Sequence, residues 1–328
     1  MLDPAIAACR LAVRGSLRPF SGSGATVLVA LSGGADSLAL AAAAAHEAPK
    51  LGLQVSTVTV DHGLQADSDQ VAERAAEQAR ALKIPDARIA RVEVGSDGGP
   101  EAAARDARYG AIARVASEMG AVAVLLGHTL DDQAETVLLA LARGAGAGSL
   151  QGMAPRRVDE RGLAWVRPFL ALRRDDTRAF CAASGIEPWQ DPHNSDDRFS
   201  RVRVRERVLP VLETELGPGI AEALARTAEQ LREDNEAFAD MIEETIEDIV
   251  EHAEAGIAVS AAALEANPSA IRNRIIRLVA QSEFGVSLTR RQTLEIARLV
   301  TDWHGQGPID LPGFTAERRS GRIVLAAR

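Results

Sequence analysis

Residues 26–37 decide the fold of this chain, and they read Thr-Val-Leu-Val-Ala-Leu-Ser-Gly-Gly-Ala-Asp-Ser. The first six residues form a continuous apolar run, which is typical of a strand buried on both faces of a parallel sheet. The Ser-Gly-Gly turn leads into an alanine-rich segment with the composition of a helix. This junction predicts a strand, a tight loop and a helix N-terminus, where free backbone N–H groups and the helix dipole favour an anion.

The loop after this strand has the composition of a phosphate-binding turn. Gly33 and Gly34 allow the backbone to approach a phosphate closely, and the hydroxyls of Ser32 and Ser37 supply further donors. Asp36 would repel a phosphate unless it holds a magnesium ion or orients a neighbour. The loop has neither the lysine of a Walker A motif nor the spacing of a dinucleotide fingerprint. An ordinary glycine-rich turn is the alternative, which the position after an apolar strand disfavours.

Apolar runs and helical patterns alternate along the first half of the chain. Further strands are expected at 55–60, 88–94, 122–127 and 163–167, and helices at about 36–47, 67–83, 100–119, 131–143 and 173–184. This order predicts an α/β fold with an open, mostly parallel, Rossmann-like sheet, right-handed crossovers and helices on both faces.

The character of the sequence changes near residue 214, which predicts a first domain of residues 1–213 and a second of 214–328. Residues 220–254 predict one long helix or two in series, and ten acidic and no basic residues lie between 233 and 254. The sequence leaves open whether this acidic segment is a spacer, a dimer contact or an electrostatic guard. Shorter helices and a C-terminal hairpin at 309–326 are expected to follow, so the second domain is predicted to be smaller and mainly helical.

Charge and composition exclude several classes of protein. With 46% hydrophobic and 25% charged residues, the chain can build a sizeable core. Its net charge of −9 excludes binding to nucleic acid through the overall charge of the protein alone. Locally, residues 198–207 and 270–328 carry net charges of +4 and +5. A basic surface can therefore coexist with the acidic segment.

The two cysteines, Cys9 and Cys181, are far apart in sequence and form neither a CxxC pair nor a zinc or iron–sulfur ligand set. No signal-peptide pattern begins the chain, and no apolar run is long enough to span a bilayer. The sequence therefore predicts a cytoplasmic protein without a membrane partner.

A second signature, Val-Asp-His-Gly-Leu at residues 60–64, follows the second predicted strand. The carboxyl ends of strands line the ligand crevice of open α/β sheets, so Asp61 and His62 are expected beside the phosphate loop. Taken alone, His62 is better explained as a loop histidine.

A third signature, GHTLDDQAET at residues 127–136, follows the fourth predicted strand. Gly127 and His128 lie at the strand end, while Asp132 and Glu135 share one face of the helix that follows. Such a cluster can bind magnesium, accept an ammonium group or move protons. A helix cap with acidic first-turn residues is the alternative.

These motifs, in this order, resemble those of the PP-loop (N-type) ATP pyrophosphatases and, among them, the tRNA(Ile)-lysidine synthetase family. The resemblance covers residues 24–212 and includes the Asp-Pro-His-Asn-Ser-Asp segment at 191–196. It implies a ligase that uses ATP and Mg²⁺ to adenylate the wobble cytidine of tRNA(Ile) with a CAU anticodon. The ε-amine of free L-lysine would then displace AMP.

The resemblance also assigns roles to residues. It implies an ATP site of Ser32, Gly33, Gly34, Ala35, Asp36, Ser37, Asp61, His62 and Gly127. The implied catalytic residues are Asp36, Arg108, His128, Asp132 and Glu135, with Mg²⁺ on Asp36 and Asp132. In this scheme, Arg108 and His128 stabilise the adenylation transition state, and Asp132 and Glu135 attract the lysine ammonium group. Arg105, three residues before Arg108, is the alternative for the arginine that faces the site.

The arginine-rich segment that follows is expected to contact tRNA phosphates through Arg201, Arg203 and Arg205. These side chains would share one face of an extended segment, whereas a helix would spread them around its axis. The chain departs from the family pattern at Gln65, where a basic residue is frequent, and at Val202, where the family has an asparagine.

A tRNA sulfur transferase of the same superfamily is the alternative enzyme. Such enzymes depend on paired catalytic cysteines or on a cluster held by a CxxC motif, and the two distant cysteines supply neither. A non-catalytic nucleotide sensor is a second alternative, which the acidic residues of the motifs disfavour. The sequence leaves the oligomeric state open, with a homodimer as one option.

Overall fold

The computed structural model describes residues 2–63, 67–92, 100–191, 196–253 and 256–328, without the side chains of 100–102, 247–248 and 252–253. The chain forms two compact units, Met1–Arg232 and Glu233–Arg328. This division lies inside a long helix, whereas the sequence pattern changes at 213/214.

The first unit is built on a six-stranded sheet. Its strands are β1 (Thr26–Ala30), β2 (Gln54–Asp61), β3 (Ala87–Arg91), β4 (Ala123–Leu125), β5 (Arg156–Val158) and β6 (Ala164–Val166), in the order β3-β2-β1-β4-β6-β5. All neighbours are parallel except β5, which pairs antiparallel with β6 at the edge. The predicted open, mostly parallel sheet is confirmed. The end of the predicted strand 88–94, residues 93–94, lies outside the described residues.

Helices cover both faces of this sheet. They are α1 (Pro4–Leu17), α2 (Ala35–Glu47), α3 (Ser68–Ala81), α4 (Pro100–Glu118), α5 (Leu130–Ala142), α6 (Ala147–Leu150), α7 (Arg174–Ala183), α8 (Ser200–Arg203) and α9 (Leu209–Glu215). Val27 and Val29 of β1 pack in one hydrophobic core with α1, α2 and α7, while Leu28 packs in a second core with α4. The continuous apolar run in the sequence thus reflects a strand that is buried on both sides.

The second unit combines helices with a small antiparallel sheet. Its elements, after the helix α10 (Ile220–Ile249) that contains the division, are β7 (Val250–Ala253), β8 (Gly256–Ser260), α11 (Ala261–Ala266), α12 (Ser269–Phe284), α13 (Arg290–Thr301), β9 (Ile309–Leu311), β10 (Phe314–Arg319) and β11 (Arg322–Ala327). The sheet order is β7-β8-β11-β10-β9. Side chains from the sheet, from α10 and from α11–α13 form one hydrophobic core.

Two sequence expectations for this unit are wrong in detail. The helix predicted over 220–254 is a single helix that ends at Ile249, and residues 250–253 pair with β8 as a strand. The C-terminal hairpin is part of a three-stranded meander over 309–327, which β8 extends. The strands β7 and β9 have four and three residues, too few for a periodic pattern to mark them in the sequence. No helix among the described residues is long and apolar enough to cross a membrane.

The buried carboxylate of Glu47, at the end of α2, forms an ion pair with Arg14 of the N-terminal helix α1. The Glu47 side chain is 1% exposed and accepts hydrogen bonds from Arg14 Nε at 2.7 Å and from Lys50 Nζ at 3.0 Å. The Arg14 hydrogen bond is the main cause that lowers the pKa of Glu47 from 4.5 to about 2. Because the folded protein holds this carboxylate ionised, its contribution to stability is present above pH 4.5 and is lost as the pH falls towards 2.

We expect Glu47→Gln to lower the free energy of unfolding by about 1–2 kcal/mol near pH 7, since a hydrogen bond to a charged group is lost. The difference from the wild type should shrink between pH 5 and pH 3. Chemical denaturation at several pH values measures it, with Glu118→Gln, an exposed carboxylate in α4, as the control. A difference that is constant with pH would contradict the assignment.

Candidate active site

The loop between β1 and α2 presents a helix N-terminus to solvent. Gly33 has a left-handed φ of +82°, and Gly34 caps α2 without a side-chain hydrogen bond to its first turn. The Ser37 hydroxyl accepts from Ser32 N at 3.1 Å and donates to Gly34 O at 3.0 Å, which fixes the loop. The backbone N–H groups of this first turn therefore have no side-chain cap and are oriented for an anion.

Two neighbouring segments hold the loop in place. A Cβ added at Gly127, after β4, would lie 3.1 Å from Asp36 C and O and from Ser37 N, so the two backbones are in direct contact there. On the other side, Trp189 N donates to Gly33 O at 2.9 Å. A side chain at 127 would therefore force β4 and the start of α2 apart by a few tenths of an ångström.

Residues of the third signature, in the first turn of α5, form hydrogen bonds to the start of α7 and to Met153. Asp132 Oδ2 accepts from Thr129 N at 2.8 Å, which completes a capping box. Asp131 accepts from Arg174 N at 2.7 Å, and the Gln133 amide bonds to both Met153 N and Met153 O. The helix-cap interpretation of the two aspartates is thus correct for one oxygen of Asp132. Its other oxygen belongs to a charge network.

Arg174, at the start of α7, lies among the three carboxylates that the sequence analysis singled out. Its Nη2 is 2.9 Å from Asp132 Oδ1 and 3.2 Å from Glu135 Oε1, and its Nε is 3.8 Å from Asp36 Oδ2. Thr177, one turn further along α7, donates its hydroxyl to Asp36. The network therefore joins the phosphate loop to α5 through α7.

Sequence reasoning missed both Arg174 and Thr177. One signal for Arg174 was available, because arginines in the first turn of a helix oppose the helix dipole and so need another reason to be there. Thr177 carries no comparable signal, since its partner Asp36 is distant in the chain.

Glu135 is fully buried and surrounded by guanidinium groups. Arg205 Nε lies 2.7 Å from its Oε1, and Arg201 Nε lies 3.4 Å from its Oε2, in addition to Arg174. The segment that carries these arginines is helical, with α8 followed by a π-helical turn at Val204–Val208. The spacing of four residues brings Arg201 and Arg205 to one face. Arg203 points elsewhere: it is exposed and donates to backbone oxygens of Asp197 and Arg198.

Burial and the neighbouring charges shift the pKa values of Asp36 and Asp132 in opposite directions. Burial raises the pKa of Asp36, although the Thr177 hydroxyl and Arg174 oppose it. Burial also acts to raise the pKa of Asp132, but Arg174 and the Thr129 N–H bring it below its ordinary value. Asp36 is therefore the less acidic of the two carboxylates in the absence of a ligand.

The pKa values of His62 and His128 are both affected by burial and by the charge of Arg108. Burial lowers the pKa of His128 to about 4, and it also lowers the pKa of His62, so both rings are neutral near pH 7. The positive charge of Arg108 contributes to both shifts, which places its guanidinium on this side of the site. The Nδ1 atoms of both histidines are buried and have no hydrogen-bond partner among the described residues.

The remaining predicted residues have structural partners or lie outside the described part. Asp61 is buried and accepts from Gly63 N at 3.0 Å, which shapes the turn after β2. Of the segments singled out in the sequence, Leu64 and Gln65 and the residues 192–195 lie outside the described residues.

A magnesium ion is the metal that the resemblance implies. In the described residues no group of three or more His, Cys, Asp and Glu side chains converges as a metal cage. Mg²⁺, however, commonly binds through one or two carboxylates together with substrate phosphates. Asp36 borders the phosphate loop, and one of its oxygens is 3.8 Å from Arg174, beyond hydrogen-bond distance. The residues present therefore fit Mg²⁺ that is bound together with ATP phosphates.

Comparison with known proteins decides the family. A profile described as a PP-loop domain matches residues 15–212, and one described as the TilS substrate binding domain matches residues 260–324. A protein of Leifsonia xyli subsp. xyli (strain CTCB07) named tRNA(Ile)-lysidine synthase is 57% identical over 303 residues, 92% of this chain and 90% of that protein. The chain belongs to the tRNA(Ile)-lysidine synthase family. A Thermobifida fusca (strain YX) protein of the same name is 47% identical over 330 residues, 99% of this chain and 98% of its own length.

A solved structure of another tRNA enzyme has a similar fold. The U34-tRNA thiolase NcsA from Methanococcus maripaludis, with its [4Fe-4S] cluster, matches 70% of this chain and 80% of its own with a TM-score of 0.60 and 19% identity. In this lysidine synthase family member both cysteines are buried and free, and burial raises the pKa of Cys9 to about 12 and of Cys181 to about 11. The sulfur-transferase alternative is not favoured.

We expect Gly127→Ala to weaken ATP binding about tenfold, because the added methyl group forces the loop away from β4. Overpacking of this kind costs about 1–3 kcal/mol, and each 1.4 kcal/mol is a factor of ten in affinity. Isothermal titration measures the change. Gly146→Ala is the matched control, since nothing lies within 4 Å of its added Cβ. Equal ATP affinity in both variants would show that the contact at Gly127 is unimportant.

Proposed function

We propose that this chain forms lysidine at the wobble cytidine of tRNA(Ile) with a CAU anticodon, consuming ATP and free L-lysine. The observation that carries the proposal is the convergence of the uncapped α2 N-terminus, Asp36 and the start of α5 at one edge of the sheet. The PP-loop and TilS substrate binding matches support both halves of the reaction. ATP is the energy source in the proposal, and a tRNA is the acceptor.

In the first step, the cytidine O2 attacks the α-phosphate of ATP and pyrophosphate leaves. Backbone N–H groups at the start of α2 and the hydroxyls of Ser32 and Ser37 hold the departing pyrophosphate. Asp36, with Asp132 nearby, would hold Mg²⁺, which when bound neutralises charge on the phosphates. Arg108, whose charge reaches both histidines, stabilises the transition state from the opposite side.

Neutral histidines suit the nucleotide side of this site. The unpartnered Nδ1 atoms of His62 and His128 can donate or accept a hydrogen bond according to tautomer. Because their pKa values are lowered, they add no positive charge that would compete with Arg108 for the phosphates. We assign them to ATP binding and to orientation of the reacting phosphate.

In the second step, the ε-amine of lysine attacks C2 of the adenylated cytidine and AMP leaves. We assign attraction of the lysine ammonium group to Asp132, whose Oδ1 lies outside the capping box and would be shared between the lysine and Arg174. The amine attacks only when neutral, so the ammonium group must lose a proton before the attack. Glu135, which is 0% exposed, supports the site by positioning Arg174, Arg201 and Arg205.

Contacts with the tRNA are assigned to exposed arginines and to the C-terminal part of the chain. In the segment at 200–208, Arg203 is exposed and suited to a phosphate, whereas Arg201 and Arg205 are engaged by Glu135. We retain residues 214–328 as the tRNA-binding region. The reaction would take place in the cytoplasm, where tRNA is modified, and the homodimer that the sequence allows stays a prediction for sedimentation analysis.

The test is incorporation of labelled lysine into purified tRNA(Ile) with a CAU anticodon. We expect transfer that depends on ATP and Mg²⁺ and that is absent with elongator methionine tRNA. Asp36→Asn should lower the rate about 100-fold or more, since loss of several kcal/mol of charge stabilisation has that effect. Asp175→Asn, on the exposed face of α7, is the control and should retain full activity.

Two outcomes would contradict the proposal. Pyrophosphate release on tRNA without lysine transfer would keep the adenylation and assign a different nucleophile. Full activity of Asp36→Asn would remove the phosphate loop carboxylate from the mechanism.

A further inference from the structure

The arginines of the second unit divide into two groups by their partners. Residues 233–328 contain ten arginines, and five of them form ion pairs with carboxylates. Two others are held by backbone oxygens of other segments, Arg272 by that of Asn267 and Arg318 by those of Leu299 and Val300, whereas the backbone bond of Arg274, to Ala270 O at 3.4 Å, stays within its own helix. The three that remain, Arg274, Arg277 and Arg290, have no ion pair with a described carboxylate. Residues 270–328 have a net charge of +5, and these three arginines contribute charges there that no described carboxylate pairs.

These three arginines line one cleft, which we call the arginine cleft. It has a volume of about 290 Å³ and is lined by Ser269, Ala270, Asn273, Arg274, Arg277 and Arg290. The α12 residues are spaced so that they share one face of the helix, and Arg290 begins α13. No carboxylate lies among these lining residues, so the cleft has a charge of +3.

The guanidinium group of Arg274 is held in place before any ligand binds. Arg274 Nη2 donates to Asn235 Oδ1 at 2.9 Å, and its guanidinium stacks 4.1 Å from the centre of the Phe238 ring. Burial lowers the pKa of Arg277, and the charges of Arg274 and Arg290 contribute to the shift. Three like charges held this close together repel one another, and an anion between them relieves the repulsion.

A polar atom in the same cleft lacks a partner. Asn273 Oδ1 is buried and accepts no hydrogen bond in the described structure. A buried acceptor without a partner costs free energy, which a hydroxyl donor would recover. In addition, α12 begins at Ser269 without a side-chain cap, so its first N–H groups face an anion favourably.

We propose that the arginine cleft binds one phosphodiester of the tRNA backbone, with the adjacent ribose 2′-hydroxyl donating to Asn273. This inference rests on the proposed function, since it takes a tRNA as the substrate. An RNA backbone supplies an anion and a hydroxyl donor side by side, whereas a DNA backbone has no 2′-hydroxyl. The contact positions the tRNA and does not take part in the chemistry.

The test measures the affinity for tRNA(Ile) transcript by fluorescence anisotropy at several KCl concentrations. We expect Arg277→Gln and Arg290→Gln each to weaken binding about fivefold to tenfold. Each should also reduce the slope of log K against log[KCl] by about 0.7–0.9, the effect of one lost phosphate contact. Arg277→Lys should restore most of the slope. The KM for tRNA should rise while kcat for lysine transfer stays unchanged.

Arg291→Gln is the matched control, because Arg291 is next to Arg290 in sequence and forms an ion pair with Glu295 at 3.0 Å. Its affinity for the transcript should stay within about twofold of the wild-type value, and its salt slope within about 0.2, on the order expected for a surface ion pair. Thermal denaturation of every variant confirms that it is folded. Asn273→Ala should weaken binding of the RNA transcript and leave binding of a DNA of the same sequence, which has no 2′-hydroxyls, unchanged.

Three results would overturn the proposal. Wild-type affinity and salt slope in Arg277→Gln and Arg290→Gln would show that the cleft does not contact tRNA. An equal loss in Arg291→Gln would reduce the effect to bulk charge. Inorganic phosphate binding that depends on Arg277 while tRNA binding does not would identify a free-anion site. A wild-type protein that binds tRNA through the cleft but transfers no lysine would refute the proposed function and leave the cleft intact.

Discussion

The contact of Arg174 with three carboxylates is the interaction on which the rest of the site depends. Asp36 belongs to the phosphate loop, whereas Asp132 and Glu135 belong to α5, and a single guanidinium lies among them. Like-charged carboxylates this close would otherwise repel one another or take up protons. The positive charge of Arg174 compensates the three carboxylates, so they can stay ionised close together. Ionised carboxylates are what Mg²⁺ and a lysine ammonium group would each need.

The third signature makes structural sense once this network is seen. In it, Gly127 allows the loop to approach, Asp132 caps α5, and Gln133 fixes the segment at Met153. Glu135 forms ion pairs with Arg174 and Arg205, which come from two distant parts of the chain. One motif therefore holds the fold of the site together and also supplies its charge. A substitution in it will affect both, and stability has to be measured beside activity.

The sequence predicts the part of this protein that is encoded locally. The strand, the loop and α2 come from residues 26–37, since apolar runs and glycines act on their immediate neighbours. It does not predict the strand at 250–253 or the edge strand β5, which are too short for a periodic pattern. Nor does it predict the orientation of Arg201 and Arg205 towards Glu135, which is distant along the chain. Arginines are frequent in this chain, so no pattern marks those that turn inward rather than towards solvent.

The most direct test of this account is a double-mutant cycle with Arg174→Gln and Glu135→Gln, read as the free energy of unfolding in urea. If Arg174 and the buried carboxylate form one network, the two changes should be non-additive by about 1 kcal/mol or more, within the range found for residues in contact. The double variant would then be less destabilised than the sum of the single variants. Additivity to within about 0.3–0.5 kcal/mol would contradict the account.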